Sequence, residues 1–200
     1  MNYQQIVDTA VGYSDKQDAG VGSMLSSFLL VVEQRLGDAL KVREMAKRAQ
    51  LWMSDNDQQY VGLPYDFDGL RDIQLNSVSL DYVSPSKMNE LLDNQAAIPS
   101  QYVYTIIADQ LQIYPATNET LEIIYYARIP PLTTLEDTNW VSQTKPNLYI
   151  FGLLVEIFSY VQDGQAGQIW EQRFQQELAA VRTNDDVARW SGTPMRIVNG

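Results

Sequence analysis

The chain has 200 residues, 14 Lys/Arg against 25 Asp/Glu, a formal net charge of −11, and neither cysteine nor histidine. The missing thiols and imidazoles exclude thiolate nucleophiles, disulfides, Cys/His zinc sites and Ser-His-Asp triads, leaving only carboxylate, Lys, Tyr or Ser chemistry. The length suits one domain, or one domain with an insertion, able to bury about 70% of its unfolded surface without a staple.

The charge is uneven. Residues 1–50 hold six Lys/Arg and six Asp/Glu, whereas 51–200 hold eight against nineteen. Such a surface repels phosphate backbones, which disfavours a protein that grips DNA but suits a channel along which DNA slides.

Residues 2–11 form a short helical candidate, and 12–22, with Gly12, Gly20 and Gly22, reads as a flexible stretch whose Gly20-Val21-Gly22 is a hinge. A stronger helix is expected from Ser23, because Leu25, Leu29, Val32, Leu36 and Leu40 recur every three or four residues on one stripe. Its basic end, Lys41, Arg43, Lys47 and Arg48, either complements the helix dipole or offers a patch to an acidic neighbour.

The period then changes. Residues 50–53 and 60–63 read as short strands around the turn-rich Ser54-Asp55-Asn56-Asp57. Strands over 70–76 and 79–83 follow, then a short helix started by Ser84-Pro85-Ser86. Residues 102–107, 111–114 and 120–127 alternate apolar and polar positions across short turns, which predicts an antiparallel meander.

Residues 128–145 read as a long loop that buries Trp140 as an anchor. Pro146 suits the first turn of a helix, with Thr144 just ahead as its cap. The run 148–161 is apolar nearly all round and reads as the central helix of a bundle. At about 14 residues it is too short to span a membrane, which takes roughly 20. The first five residues lack the pattern of a signal peptide. A last helix places Trp170, Phe174, Leu178 and Val181 on one face. Beyond it, Ser191-Gly192-Thr193-Pro194 breaks any helix, and Trp190, Met195, Ile197 and Val198 are apolar without an element to hold them. This segment either folds back on its own subunit or docks on another chain.

The layout is therefore α+β: a helical bundle built from both ends of the chain, a small inserted antiparallel β domain, and an extended C-terminal tail. The expected boundaries are 1–49 for the first bundle helices, 50–132 for the β insertion, 133–184 for the loop and remaining bundle helices, and 185–200 for the tail.

No catalytic constellation stands out, and no metal or cofactor is expected. Asp66 and Asp68, and Asp185 and Asp186, are close carboxylate pairs; Asp66 and Asp68 follow Leu63-Pro64, where Asp commonly closes a turn. The Asn118-Glu119-Thr120 triplet matters only in a secreted chain. Tyr125-Tyr126 with Tyr102 and Tyr104 would supply a stacking platform for bases or sugars, but tyrosines on a two-faced sheet more often pack.

Several blocks carry a likeness to a known family. They are Glu33-Gln34-Arg35-Leu36 leading into Leu40-Lys41-Val42-Arg43-Glu44-Met45, Tyr60-Val61-Gly62-Leu63-Pro64-Tyr65-Asp66-Phe67, and Tyr82-Val83-Ser84-Pro85. Tyr104-Thr105-Ile106, Leu111-Gln112-Ile113-Tyr114-Pro115 and Ile124-Tyr125-Tyr126-Ala127-Arg128-Ile129-Pro130-Pro131-Leu132 follow. Thr138-Asn139-Trp140, Pro146-Asn147-Leu148-Tyr149-Ile150-Phe151-Gly152 and Ala188-Arg189-Trp190-Ser191-Gly192 complete the series.

In this order and spacing the chain resembles the head-to-tail adaptor (connector) proteins of tailed bacteriophages. Lys145 keeps the basic residue that the family carries there, whereas Ala108-Asp109 departs by standing where the family's hairpin has glycine. The resemblance implies a structural virion protein, assembled in the host cytoplasm, forming a ring of about twelve copies at the head–tail interface. Portal protein, a tail tube or nozzle protein, and DNA passing unbound through the lumen are the implied partners; no membrane is involved. It also implies that Arg189, Trp190, Met195 and Ile197 anchor the tail on the portal. Leu63, Pro64, Asp66, Phe67, Tyr125, Tyr126, Trp140, Pro146 and Tyr149 are then structural motif residues. Two alternatives remain: another tail ring component, such as a completion or terminator protein, and a carbohydrate-binding or carbohydrate-cleaving virion module.

Overall fold

The computed structural model describes residues 1–16, 19–53, 59–93 and 101–190, with the side chains of Ala19, Arg189 and Trp190 left aside. The fold is α+β and divides into two compact units, residues 1–44 with 129–200 and residues 45–128.

The first unit is helical. Helix α1, Tyr3–Ser14, starts at a capping box in which the Asn2 side chain accepts from the Gln5 N–H (2.9 Å) while Gln5 accepts from the Asn2 N–H (3.1 Å). Helix α2, Ala19–Ala39, follows after a short connection. The expected flexible stretch 12–22 is thus mostly helix, and the Gly20-Val21-Gly22 hinge lies inside α2, with Val21 buried. Packing of that side chain outweighs the glycines' low helix propensity of about 1 kcal/mol each.

The span 128–145 is not all loop. It contains a short helix, numbered α4 in chain order, at Trp140–Thr144, capped by Asn139. Trp140 is half-buried, and the buried residue of the pair is Asn139. Pro146 opens helix α5, Pro146–Tyr160, as expected. Thr144 does not cap α5; its hydroxyl donates back to the Trp140 carbonyl at 2.7 Å. Helix α5 is buried nearly all round, through Leu148, Tyr149, Ile150, Gly152, Leu153, Leu154, Ile157 and Phe158, as befits its continuous apolar run.

The Asp163 carboxylate accepts from the Ala166 N–H (3.1 Å) and starts helix α6, Gly164–Trp190, whose Phe174, Leu178 and Val181 are buried. Gly152 permits the closest approach of these helices: a Cβ there would stand 2.7 Å from Val32 Cγ1 and 3.4 Å from Phe174 Cε2. No described helix is long and apolar enough to cross a membrane.

Among the described residues the second unit holds eight strands and the remaining helix. They are β1 Ala46–Trp52, β2 Tyr60–Gly62, β3 Phe67–Leu75, β4 Val78–Ser79, β5 Asp81–Tyr82, α3 Pro85–Asp93, β6 Val103–Ile107, β7 Gln110–Tyr114 and β8 Thr120–Ala127. They form two sheets of order β1-β8-β3-β4 and β2-β7-β6-β5, with only β5 and β6 parallel. Apolar residues of both sheets share one core, including Leu51, Ile73, Leu111, Ile113, Leu121 and Ile123. Met88 of α3 packs with Val103 and Tyr114 on the second sheet.

The expected meander is corrected here: β6 and β7 pair as a hairpin, but β8 crosses to the other sheet and lies between β1 and β3. Strict alternation tells which residues share a face, not which strand is the neighbour. The expected strand over 79–83 likewise splits, β4 joining one sheet and β5 the other.

Candidate functional site

Among the described residues no group of three or more Asp, Glu, Cys or His is placed to hold a metal. Several residues singled out by sequence instead take part in three hydrogen-bonded assemblies, each of which ties distant segments together.

The first lies in the β-rich unit. Pro64 turns the chain so that its carbonyl accepts the Phe67 N–H at 2.9 Å, and the Asp66 carbonyl accepts the Arg128 N–H at 2.7 Å. The Asp66 carboxylate accepts from Lys47 Nζ on β1 (2.6 Å) and from the Tyr125 hydroxyl on β8 (2.9 Å). Burial opposes ionisation of Asp66, but the Lys47 ammonium and the Tyr125 hydroxyl outweigh it and hold the carboxyl below its ordinary value. Burial and the Asp66 charge push the Tyr125 phenol up to about 12. Phe67 stacks on the Tyr125 ring at 5.8 Å, and Leu63 packs on the same core. Asp66 therefore closes a turn, but it does so with two tertiary partners rather than with its own backbone alone. Tyr125 is core and belongs to a different sheet from Tyr104, and Tyr102 precedes β6, so the tyrosines do not form one platform.

The second assembly lies in the helical unit. The Glu33 carboxylate on α2 accepts the Leu132 N–H at 2.7 Å and lies near the Tyr149 hydroxyl, which favours its charged form. Asn139 Nδ2 donates to the Tyr149 oxygen (2.8 Å) and to the Pro130 carbonyl (2.7 Å), while Asn139 Oδ1 accepts the Ser142 N–H (2.9 Å). Four separated sequence blocks thus meet at one buried network. Burial raises the Glu33 carboxyl above its ordinary value despite the Leu132 N–H and the nearby Tyr149 hydroxyl, and burial with the Glu33 charge holds the Tyr149 phenol far above its own. Beside it, Arg35 donates twice to Glu171 at 2.7 Å, reaches Glu156 at 3.4 Å and lies over the Phe174 ring at 4.5 Å. Burial works against the Glu171 charge, but the Arg35 fork keeps its pKa below the usual value. Glu33 and Arg35 fall within a block that resembles the family, but nothing in the periodicity of α2 marks them as joints.

The third assembly holds the end of α6. Arg182 donates through Nε (3.0 Å) and a terminal nitrogen (2.6 Å) to the Ala39 carbonyl at the end of α2. Asp185, buried at 7% exposure, accepts the Arg43 N–H at 2.9 Å. Residues 185–190 therefore continue α6 and do not belong to an extended tail.

The four expected patch cations are not gathered at a helix end, since α2 stops at Ala39 and its C-terminal carbonyl is served by Arg182. Arg43 lies in a 3₁₀ turn and Lys47 and Arg48 on β1. Arg43 faces Asp185 (3.7 Å), Lys47 faces Asp66 (2.6 Å) and Arg48 faces Glu122 (3.2 Å). Lys41, on the segment that joins α2 to this turn, is exposed and engaged. Of the expected anchors, Arg189 and Trp190 end α6, while Met195 and Ile197 lie outside the described residues. Tyr126 is half-buried on β8.

The family model for the SU10 adaptor protein matches residues 1–198, a span that takes in both units. No curated protein matches the chain.

Proposed function

Because the chain belongs to the SU10 adaptor protein family, we propose that it is the non-enzymatic subunit of a phage adaptor ring that joins the portal vertex to the tail. The family match over residues 1–198 carries this reading. The ring has about twelve copies with closed rotational symmetry, and it continues the channel through which DNA leaves the head. The latch at Asp185 supports a role for the segment that follows it, because it fixes where α6 delivers that segment. Trp190, Met195 and Ile197 are then the portal anchors, each stabilising the contact by about 1.5–3 kcal/mol when fully buried.

The acidic excess of residues 51–200 supports a lumen that does not hold DNA, since like charges repel. Replacing lumen carboxylates by Lys slows DNA exit in an ejection assay; unchanged kinetics would count against this part of the reading.

The direct test is the mass of the purified protein, alone and mixed with its cognate portal. A ring-sized complex that forms with portal, and is lost when residues 186–200 are removed from a still-folded chain, supports the adaptor reading. A chain that ignores portal in both forms overturns it.

A further inference from the structure

We propose that the outer face of α2 and the groove between α1 and α6 are the two halves of one head-to-tail contact between copies of this chain, an inference that rests on the ring reading above. The bundle places these surfaces on opposite sides. Helix α5 packs against α1, α2 and α6. The last two are bridged by Arg35 and Glu171, α1 and α6 meet where Tyr13 stacks on Trp170, and α1 and α2 line the two sides of a cleft through Val7, Val11 and Leu25. With three helices around a fourth, the gap between two of them lies across from the third.

The groove has the composition of an interface core. Tyr13, 60% exposed, stacks on Trp170 at 6.5 Å, Phe151 meets the same ring at 5.5 Å, and the Arg173 guanidinium lies over it at 4.6 Å. Tyr, Trp and Arg are the side chains that dominate protein–protein binding energy when they line a pocket. Among the described residues, Arg173 is the one charged side chain lining this groove, and its guanidinium has no carboxylate partner there.

The α2 face is its complement. Leu30 and Val31 are 56% and 39% exposed. The charges of α2 are Glu33, Arg35 and Asp38; Glu33 is held by Leu132 and Arg35 by Glu171. Asp38 is exposed and has no partner among the described residues. Eight residues of helix carry the apolar pair to this carboxylate over about 12 Å. The groove likewise sets aromatic rings beside the Arg173 guanidinium. Apolar thus meets apolar, and one unpaired carboxylate meets one unpaired guanidinium. Because donor and acceptor faces differ, each copy uses one face on each neighbour, the heterologous arrangement that closes into rings.

The absence of native cysteine makes disulfide trapping clean. Tyr13→Cys and Leu30→Cys are prepared as separate full-length proteins and oxidised alone and as a mixture, in samples whose mass shows assembly, on portal if needed. The expected result is a covalent dimer in the mixture and none in either variant alone. Self-linking of a single variant, or an assembled sample with no cross-link in the mixture, overturns the contact while leaving the adaptor reading standing. That includes an assembly in which the C-terminal segment or the portal fills the groove. A chain that neither assembles nor binds portal overturns both.

In parallel, Arg173→Glu raises the concentration needed for assembly by about tenfold or more, and the Arg173→Glu/Asp38→Arg double variant restores it. No rescue in a folded double variant also overturns the pairing.

Discussion

The buried carboxylate of Asp185 accepts the backbone N–H of Arg43 at 2.9 Å across 142 positions of sequence, so the far end of α6 holds the segment by which the chain leaves α2. Arg182, one turn earlier, closes the last carbonyl of that helix. Cationic side chains at a helix C-terminus satisfy carbonyls that the helix itself leaves unpaired.

Asp185→Ala leaves the Arg43 N–H without its acceptor and destabilises the protein by about 1–3 kcal/mol. Asp185→Asn keeps an acceptor and loses less. Guanidinium unfolding of the three proteins measures this, and equal midpoints for Ala and wild type would show that the latch carries no stability.

Gly152→Ala puts a methyl 2.7 Å from Val32 Cγ1 in a buried seam and costs about 1–3 kcal/mol through overpacking. Adding Val32→Ala vacates that space and recovers part of the loss. A double variant less stable than the sum of the singles contradicts the steric account.

Tyr149→Phe removes the acceptor of Asn139 Nδ2 and the hydroxyl that favours the Glu33 charge, costing about 1–3 kcal/mol. Because the folded Glu33 pKa lies above 4.5, its contribution is complete below that pH and is lost as pH rises through the folded value. Removing the Tyr149 hydroxyl steepens this decline, which unfolding free energies measured from pH 4 upward would detect.

Asp66 and Tyr125 act at opposite ends of the pH scale. Asp66 is shifted below 3.8, so its contribution is present above that pH and lost as pH falls through the lower folded value. Tyr125 is shifted from 10 to about 12, so its contribution is complete below pH 10 and lost as pH rises toward 12. Asp66→Asn flattens the acid limb of a stability–pH curve and Tyr125→Phe the alkaline limb. A wild-type curve unchanged by either would refute the coupling.

Ala108 occupies the first central position of the β6–β7 turn at φ 54°, a left-handed conformation that costs an L-residue about 1–2 kcal/mol. Ala108→Gly relieves it and, after the entropy that glycine adds to the unfolded chain, stabilises by about 0.5–1 kcal/mol. A lower melting temperature would argue that the turn differs in solution.

What the sequence by itself determined is whatever follows from local period and composition. The apolar run that became α5, Pro146 at its first turn, the Phe174-Leu178-Val181 face of α6 and the inward positions of β8 all follow from the spacing of apolar residues. So do the α+β layout and, from the missing Cys and His, the chemistry that is ruled out. The tertiary structure alone decided the partners. It sent β8 to the other sheet, drew Gly20 and Gly22 into α2, and extended α6 past Asp185. It also gave Lys47, Arg43 and Arg48 to carboxylates of their own units. The physical reason is range. Periodicity reports which face of an element is apolar, whereas a hydrogen bond such as Asp185 to Arg43 depends on two segments that only the folded chain brings together.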